Sequence, residues 1–122
     1  NGKYLSSNAG NGAMTCDRDS VGSWEIFRVV IVSDGFILQT NPLDTRGIVR
    51  VSGSQSVLTN RGNTNDGRTT FSWGFPSSDT SVRTISRNAN GKFWNSRNGE
   101  SPLTVTSDNA SRWETFTIRQ VN

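Results

Sequence analysis

Histidine is absent from the 122-residue sequence, and cysteine occurs once, as Cys16. Histidine is the commonest general base and the commonest transition-metal ligand, so its absence excludes Ser-His-Asp triads and histidine-based zinc sites. A single cysteine cannot form an internal disulfide, so the packed core must hold the fold. The sequence therefore argues against a metalloenzyme or a triad hydrolase, and it implies no cofactor and no metal.

Long apolar runs are also missing. No stretch approaches the ~20 apolar residues of a membrane-spanning helix, and the first residues lack the tripartite pattern of a signal peptide. The 13 Lys and Arg against 10 Asp and Glu give a net charge of +3, spread evenly along the chain. This charge is too mild to indicate a nucleic-acid interface. We expect a soluble, already processed monomer with neither nucleic acid nor membrane as partner.

The composition indicates short strands joined by many turns. Only 31% of the residues are hydrophobic, whereas Gly, Ser, Thr and Asn are abundant and the bulky apolar residues are mainly Val, Phe and Trp. A chain of this length rarely divides into two packed cores, so we expect one domain over residues 1–122.

An internal repeat organises the sequence. Asn1–Val29 aligns with Asn90–Ile118 without a gap, and this places Trp24–Phe27 on Trp113–Phe116. A weaker third copy lies between them and places Arg68–Phe71 on the same two tetrads. The chain therefore divides into three imperfect units, at about residues 1–34, 35–79 and 80–122.

Each unit carries several short strand-like runs with Asn-Gly or Asp-Gly turns beside them, and no stretch has a helical period. We predict an all-β fold, a β-trefoil in which a barrel is capped by three hairpins. The first unit lacks its opening strand, so we expect a longer polypeptide, a neighbour or a C-terminal extension to cover the gap. The eleven predicted strands are Tyr4–Ser7, Ala13–Asp17, Glu25–Val32, Phe36–Thr40, Ile48–Ser52, Ser56–Thr59, Thr69–Phe75, Ser81–Ser86, Phe93–Ser96, Leu103–Ser107 and Glu114–Arg119.

The repeated string Asn-Gly-Lys-Tyr-Leu-Ser, followed by Gly-x-Trp-Glu-x-Phe, resembles the fascin-like β-trefoil repeat, also seen in carbohydrate-binding modules of bacterial polysaccharide-degrading enzymes. The likeness is strong in the outer units and poor between Phe36 and Phe75. Carbohydrate-binding module family 92, which binds β-glucan, is the most similar, whereas ricin-like trefoils share the architecture but have a Gln-x-Trp signature missing here. The resemblance implies a secreted or extracellular module with up to three related surface sites.

Strand alternation gives the candidate sites a direction. If Phe27 and Val29 point to the core, Trp24 points outward, and Trp113 is its equivalent in the third unit. The C–H faces of sugars pack on aromatic planes, while their hydroxyl groups seek charged acceptors such as Glu25 and Glu114. The alternative is structural, with the tryptophans wedging the bottom of the barrel and the glutamates tying down turn amides.

Three further residues complete the list of candidates. Arg68 replaces the tryptophan in the middle unit, so that site is weakened, although a guanidinium can still stack on a sugar or simply be solvated. Trp94 follows Phe93, and if Phe93 belongs to the core then Trp94 is exposed and widens the third site. Trp73 aligns with apolar strand positions, so we expect it in the core.

These features predict a non-catalytic module or lectin that binds polysaccharide, with β-glucan favoured, through several sites. Glutamates related by the repeat lie on different flanks of a barrel and cannot form the carboxylate pair of a glycosidase. A catalytic domain of a longer polypeptide is the expected host. The alternatives are a fascin-like actin-binding domain and a protease-inhibitor trefoil that binds through the loops Asn41–Gly47 or Asn60–Arg68.

Overall fold

Short strands build the whole fold. The computed structural model describes residues 3–7, 13–40, 47–62, 66–100 and 102–120, and within these ranges it contains eleven strands and no α-helix. Each of the eleven predicted strands overlaps one observed strand, and the ends differ by a few residues. The strands are β1 (Tyr4–Ser6), β2 (Thr15–Arg18), β3 (Phe27–Val32), β4 (Gly35–Thr40), β5 (Ile48–Ser52), β6 (Val57–Gly62), β7 (Phe71–Gly74), β8 (Val82–Arg87), β9 (Phe93–Asn95), β10 (Thr104–Ser107) and β11 (Thr115–Thr117).

Seven of these strands close an antiparallel barrel. They follow the order β8, β7, β4, β5, β6, β10 and β9, and the pairing of β9 with β8 closes the ring. β3 lies beside β4, β11 lies beside β8, and β1 and β2 form a separate two-stranded sheet. This architecture confirms the predicted all-β class and is compatible with a β-trefoil.

Three hairpins meet in a ring of backbone hydrogen bonds. The amide of Met14 donates to the carbonyl of Leu58 over 3.0 Å, the amide of Leu58 to the carbonyl of Leu103 over 3.0 Å, and the amide of Leu103 to the carbonyl of Met14 over 3.2 Å. All three side chains are fully buried. Because each bond links a different pair of hairpins, the ring ties the β1–β2, β5–β6 and β9–β10 pairs to one another.

The core contains aromatic rings in contact. Trp94 meets Phe71 edge to face, with ring centroids 5.0 Å apart, and also approaches Phe116 edge to face. Trp73 is half-buried and stacks on Phe36 with a centroid distance of 4.1 Å. Trp73 therefore packs against the core, as its alignment with apolar strand positions predicted.

The expected exposure of Trp94 is wrong, because its exposed fraction is 0%. In β9, Trp94 pairs with Val105 of β10, and Val105 is itself buried. Cross-strand partners share a face of the sheet, so Trp94 faces inward while Phe93 is only half-buried. The predicted alternation was shifted by one residue, and such a shift inverts every side chain of a strand.

The expected burial of Val29 is also wrong, since 42% of this residue is exposed. Its neighbour in the alternation, Phe27, is half-buried and packs against the core. Val29 pairs with Leu38 of β4, a buried core residue. Val29 thus lies on the core side of β3, as predicted, but nothing in the described chain covers it.

Candidate functional site

Two exposed indoles occupy matching turns. Trp24 is 43% exposed and Trp113 is 42% exposed, and each lies at the centre of a three-residue 3-10 turn. The carbonyl of Trp24 accepts a hydrogen bond from the amide of Ser7, and that of Trp113 accepts one from Ser96, both at 2.8 Å. Each turn that carries an indole is therefore tied by a backbone bond to the neighbouring hairpin.

In the third unit, Glu114 braces the turn. Its Oε1 accepts hydrogen bonds from the amide and the hydroxyl of Ser111 at 2.8 and 2.7 Å, and its Oε2 accepts one from the hydroxyl of Ser107 at 3.0 Å. The residue is only 4% exposed. Burial by itself raises the pKa of Glu114, but the hydrogen bonds from Ser111 and Ser107 outweigh it and hold this pKa below its ordinary value.

In the first unit, Glu25 braces the equivalent turn with fewer bonds. Its Oε1 accepts a hydrogen bond from the amide of Gly22 at 2.9 Å, and its buried Oε2 has no hydrogen-bond partner among the described residues. The alignment explains the difference, because Gly22 replaces Ser111 and Arg18 replaces Ser107, so neither hydroxyl group is present in the first unit. Both glutamates thus tie down turn amides, which was the structural alternative for these two residues.

The middle unit forms the same turn but has no exposed aromatic ring on it. Thr69 takes the position of the glutamates, and its hydroxyl oxygen accepts a hydrogen bond from the amide of Asp66 at 2.8 Å. Arg68 takes the position of the tryptophans, and it is half-buried, with Nη1 donating to the carbonyl of Val51 at 3.2 Å. The carbonyl of Arg68 accepts from the amide of Val51 at 2.8 Å. The middle turn therefore offers a guanidinium engaged with the backbone in place of an exposed ring.

Trp94 does not join either surface. Its indole is enclosed by Phe71 and Phe116, so it cannot stack on a ligand in this conformation. The structure places the six residues named from the sequence in four kinds of environment. Trp24 and Trp113 are at the surface, Glu25 and Glu114 are bonded within the turns that carry them, and the Arg68 side chain is bonded to a backbone carbonyl. Trp94 lies in the core.

Two charged contacts on the hairpins that anchor the exposed turns were missed. Lys3 contacts Asp19 in the first unit, and Lys92 contacts Asp108 in the third. Both aspartates are exposed, and each precedes the tryptophan in the same connecting segment. The repeat already aligned these pairs, so their recurrence was the signal. Lys3 and Ser7 lie about 13 Å apart along the first hairpin, so the charged pair and the indole's anchor are at its two ends.

A separate polar cavity of about 390 Å³ lies among three chain turns and contains neither exposed indole. Two of the groups around it are engaged with backbone carbonyls, since Asn88 Nδ2 donates to Asp34 at 2.6 Å and Arg87 Nε donates to Gly67 at 2.9 Å. The lining residues are Ser33, Asp34, Asp66, Gly67, Thr70, Asn88 and Ala89.

Within the part of the chain that the structure describes, no group of three His, Cys, Asp or Glu side chains is placed to hold a metal ion. No helix there is both long and apolar enough to cross a membrane. Of the two loops considered for protein binding, residues 41–46 and 63–65 lie outside the described residues.

No protein-family model matches this chain, and no curated protein sequence matches it. What the geometry defines is an all-β barrel domain that carries two half-exposed indoles on braced turns.

Proposed function

We propose that this chain is a β-trefoil of three imperfect repeats that binds polysaccharide, with β-glucan favoured, through the indoles of Trp24 and Trp113. The observation that carries the proposal is the exposure of both rings on equivalent turns. An indole face packs well against the C–H groups of a sugar ring. Two such faces on one small domain suit a polymer that repeats the same ring.

The trefoil part of the proposal rests on backbone bonds at matching positions. The three turns each close with an amide-to-carbonyl bond over the same separation in sequence, at 3.2 Å from Glu25 to Gly22, 3.1 Å from Thr69 to Asp66 and 3.1 Å from Glu114 to Ser111. The ring of bonds among the three hairpins follows the same threefold order. These bonds support the alignment that places the Arg68–Thr69 pair on the two Trp–Glu pairs.

The hydrogen bonds of Glu25 and Glu114 hold the backbone of the turns that carry the indoles. A ring that is held in place before binding loses less conformational freedom on contact with a ligand than a mobile one does. In this proposal Glu25 and Glu114 are positioning residues, because each carboxylate is bonded within its own turn. The exposed carboxylates of Asp19 and Asp108, which contact Lys3 and Lys92 away from the indole anchors, are the candidates for accepting hydroxyl groups of further sugar units of the polymer.

The carboxylates support a binding role and not a hydrolytic one. A glycosidase needs two carboxyl groups about 5 to 10 Å apart, one of them with a raised pKa so that it can donate a proton. The pKa of Glu114 is shifted in the opposite direction, and its oxygens are occupied by Ser111 and Ser107. We therefore propose a non-catalytic module that holds a catalytic partner domain on an extracellular polysaccharide.

Titration of soluble β-glucan against Trp24→Ala, Trp113→Ala and the double variant tests the proposal, with intrinsic fluorescence or calorimetry as the readout. We expect each single variant to bind more weakly and the double variant to lose binding by at least about a hundredfold, since two weak sites act together on a polymer. Phe75→Ala is the matched control, because Phe75 is 56% exposed and lies outside both turns. Unchanged binding in all three tryptophan variants would overturn the proposal.

A further inference from the structure

One strand of the fold leaves core-facing side chains uncovered. On β3, Ile31 pairs with Phe36 and Val29 pairs with Leu38. Cross-strand partners share a face, and Phe36 and Leu38 are both buried in the core. Ile31 is nevertheless 76% exposed and Val29 is 42% exposed. The core side of β3 is therefore left uncovered by the residues that the structure describes.

The open side lies at the end of a row of strands. Among the described residues, β3 pairs only with β4 and β11 pairs only with β8, and the row between them runs β11, β8, β7, β4, β3. Both ends of this row approach β1. Arg119, just after β11, donates to the hydroxyl of Tyr4 at 3.2 Å, and the amide of Ser7 donates to Trp24, just before β3. The end of β11 thus lies beside the start of β1, and the start of β3 lies beside the end of β1.

We propose that the gap between β3 and β11 is a strand-acceptor groove, which binds an extended acidic peptide segment with apolar side chains at alternate positions. The strands at equivalent places define the shape of this occupant. β4 lies between β3 and β7, β8 lies between β7 and β11, and each has six residues. A segment of that length adds main-chain hydrogen bonds along the edge and places alternate side chains over Val29 and Ile31.

The charge around the groove selects the kind of segment. Arg28 on β3, Arg83 on β8 and Arg119 after β11 form no ion pair with any described carboxylate. Arg28 lies on the face of β3 opposite Val29 and Ile31, whereas Arg83 lies on the same face of β8 as the core residue Ile85, with its guanidinium 4.8 Å from the ring centroid of Trp73. A strand whose apolar side chains cover Val29 and Ile31 turns its other side chains to the face of Arg28, so the positive charge there complements carboxylates and disfavours a basic strand.

A labelled peptide of about ten residues, with alternating Val and Glu in its centre, is the direct probe of the groove. Its affinity is measured by fluorescence anisotropy and compared with that of the same peptide carrying Lys in place of Glu. We expect the Glu peptide to bind at least about tenfold more tightly than the Lys peptide. Absence of Glu-peptide binding, or equal binding of both peptides, would overturn the proposal.

Ile31→Ser and Val21→Ser form a matched pair for locating the peptide, because both residues are exposed aliphatic side chains and only Ile31 lies on β3. We expect Ile31→Ser, which removes the apolar contact and adds no charge, to weaken binding of the Glu peptide by about tenfold and Val21→Ser to leave it unchanged. Amide exchange at Arg28–Val32 should slow when the peptide binds to the native chain. Equal losses in the two variants would contradict the assignment.

Sedimentation velocity of the chain without peptide tests the rival occupant, a second copy of the protein. A concentration-dependent dimer that Ile31→Ser dissociates would overturn the peptide proposal. A monomer that the Glu peptide shifts only to a one-to-one complex would support it. Binding of β-glucan to Ile31→Ser should equal that of the native chain, so the peptide proposal and the polysaccharide proposal are tested independently.

Discussion

The three equivalent turns share one backbone path but differ in what they display. The first and third turns carry the exposed Trp24 and Trp113, while the middle turn carries Arg68, whose side chain bonds to the carbonyl of Val51. The middle turn forms with the same closing hydrogen bond although it lacks a tryptophan. An indole is therefore not required to make the turn. Since the fold does not need the two exposed rings, their presence favours a role in binding a ligand.

The braces behind the turns differ as well, and Glu114→Ala should show the largest effect. The substitution removes the acceptor of three hydrogen bonds and leaves the Ser111 amide and the Ser111 and Ser107 hydroxyls without their partner. We expect a loss of about 2–3 kcal/mol in the free energy of unfolding, measured by urea denaturation. A loss no larger than that of the corresponding first-turn variant would contradict the difference between the braces.

Glu25→Ala is that first-turn variant, and we expect a smaller loss of about 1 kcal/mol by the same measurement. Only the amide of Gly22 loses its acceptor, and the buried Oε2, which has no partner in the described part of the chain, is removed at the same time. A loss above that of Glu114→Ala would mean that Glu25 has bonds beyond the one to Gly22.

Acid should weaken the third turn through protonation of Glu114. The pKa of folded Glu114 is lowered, so its contribution to stability is complete above the unfolded pKa, at about 4.3, and is lost as the pH falls through the folded value. We expect the native chain to lose more stability between about pH 5 and pH 3 than Glu114→Gln does, because the amide cannot titrate. Parallel pH profiles of the two proteins would contradict this account.

The contrast between Trp113 and Trp94 shows which side-chain exposures could be predicted from the sequence. Strand alternation from Phe27 and Val29 predicted that Trp24 points outward, and the internal repeat extended this prediction to Trp113. In the structure both residues are exposed and lie in a 3-10 turn before the strand. Trp94 was assigned to the wrong face of its strand. Phe93 and Trp94 are adjacent, large and apolar, and the strand has only three residues, so the sequence alone fits burial of either side chain. Only the pairing of Trp94 with Val105 decides between them.

The role of Glu114 was left open for a different reason. Its acceptance of a hydrogen bond from Ser111 is local, but the bond from Ser107 and the burial of the carboxylate depend on how β10 packs beside the turn. A repeated Trp–Glu pair predicts a shared function of the two residues, whereas the structure separates them into an exposed ring and a buried brace. Local patterns identified the turn, and long-range packing decided which of its side chains face solvent.

Arg68→Trp asks whether the middle turn can be given the property that it lacks. The substitution places an indole at the position that is exposed in the other two turns and removes the bond from Arg68 to the carbonyl of Val51, at a cost of about 1 kcal/mol in stability. If the backbone conformation of the turn alone sets the direction of the ring, a third exposed indole should strengthen binding to polymeric β-glucan severalfold. Arg68→Ala is the control, since it removes the same bond and adds no ring. Equal affinities of Arg68→Trp, Arg68→Ala and the native chain would show that an exposed indole on this turn is not sufficient for binding, and that groups outside the shared frame, such as Asp19 and Asp108, are needed beside it.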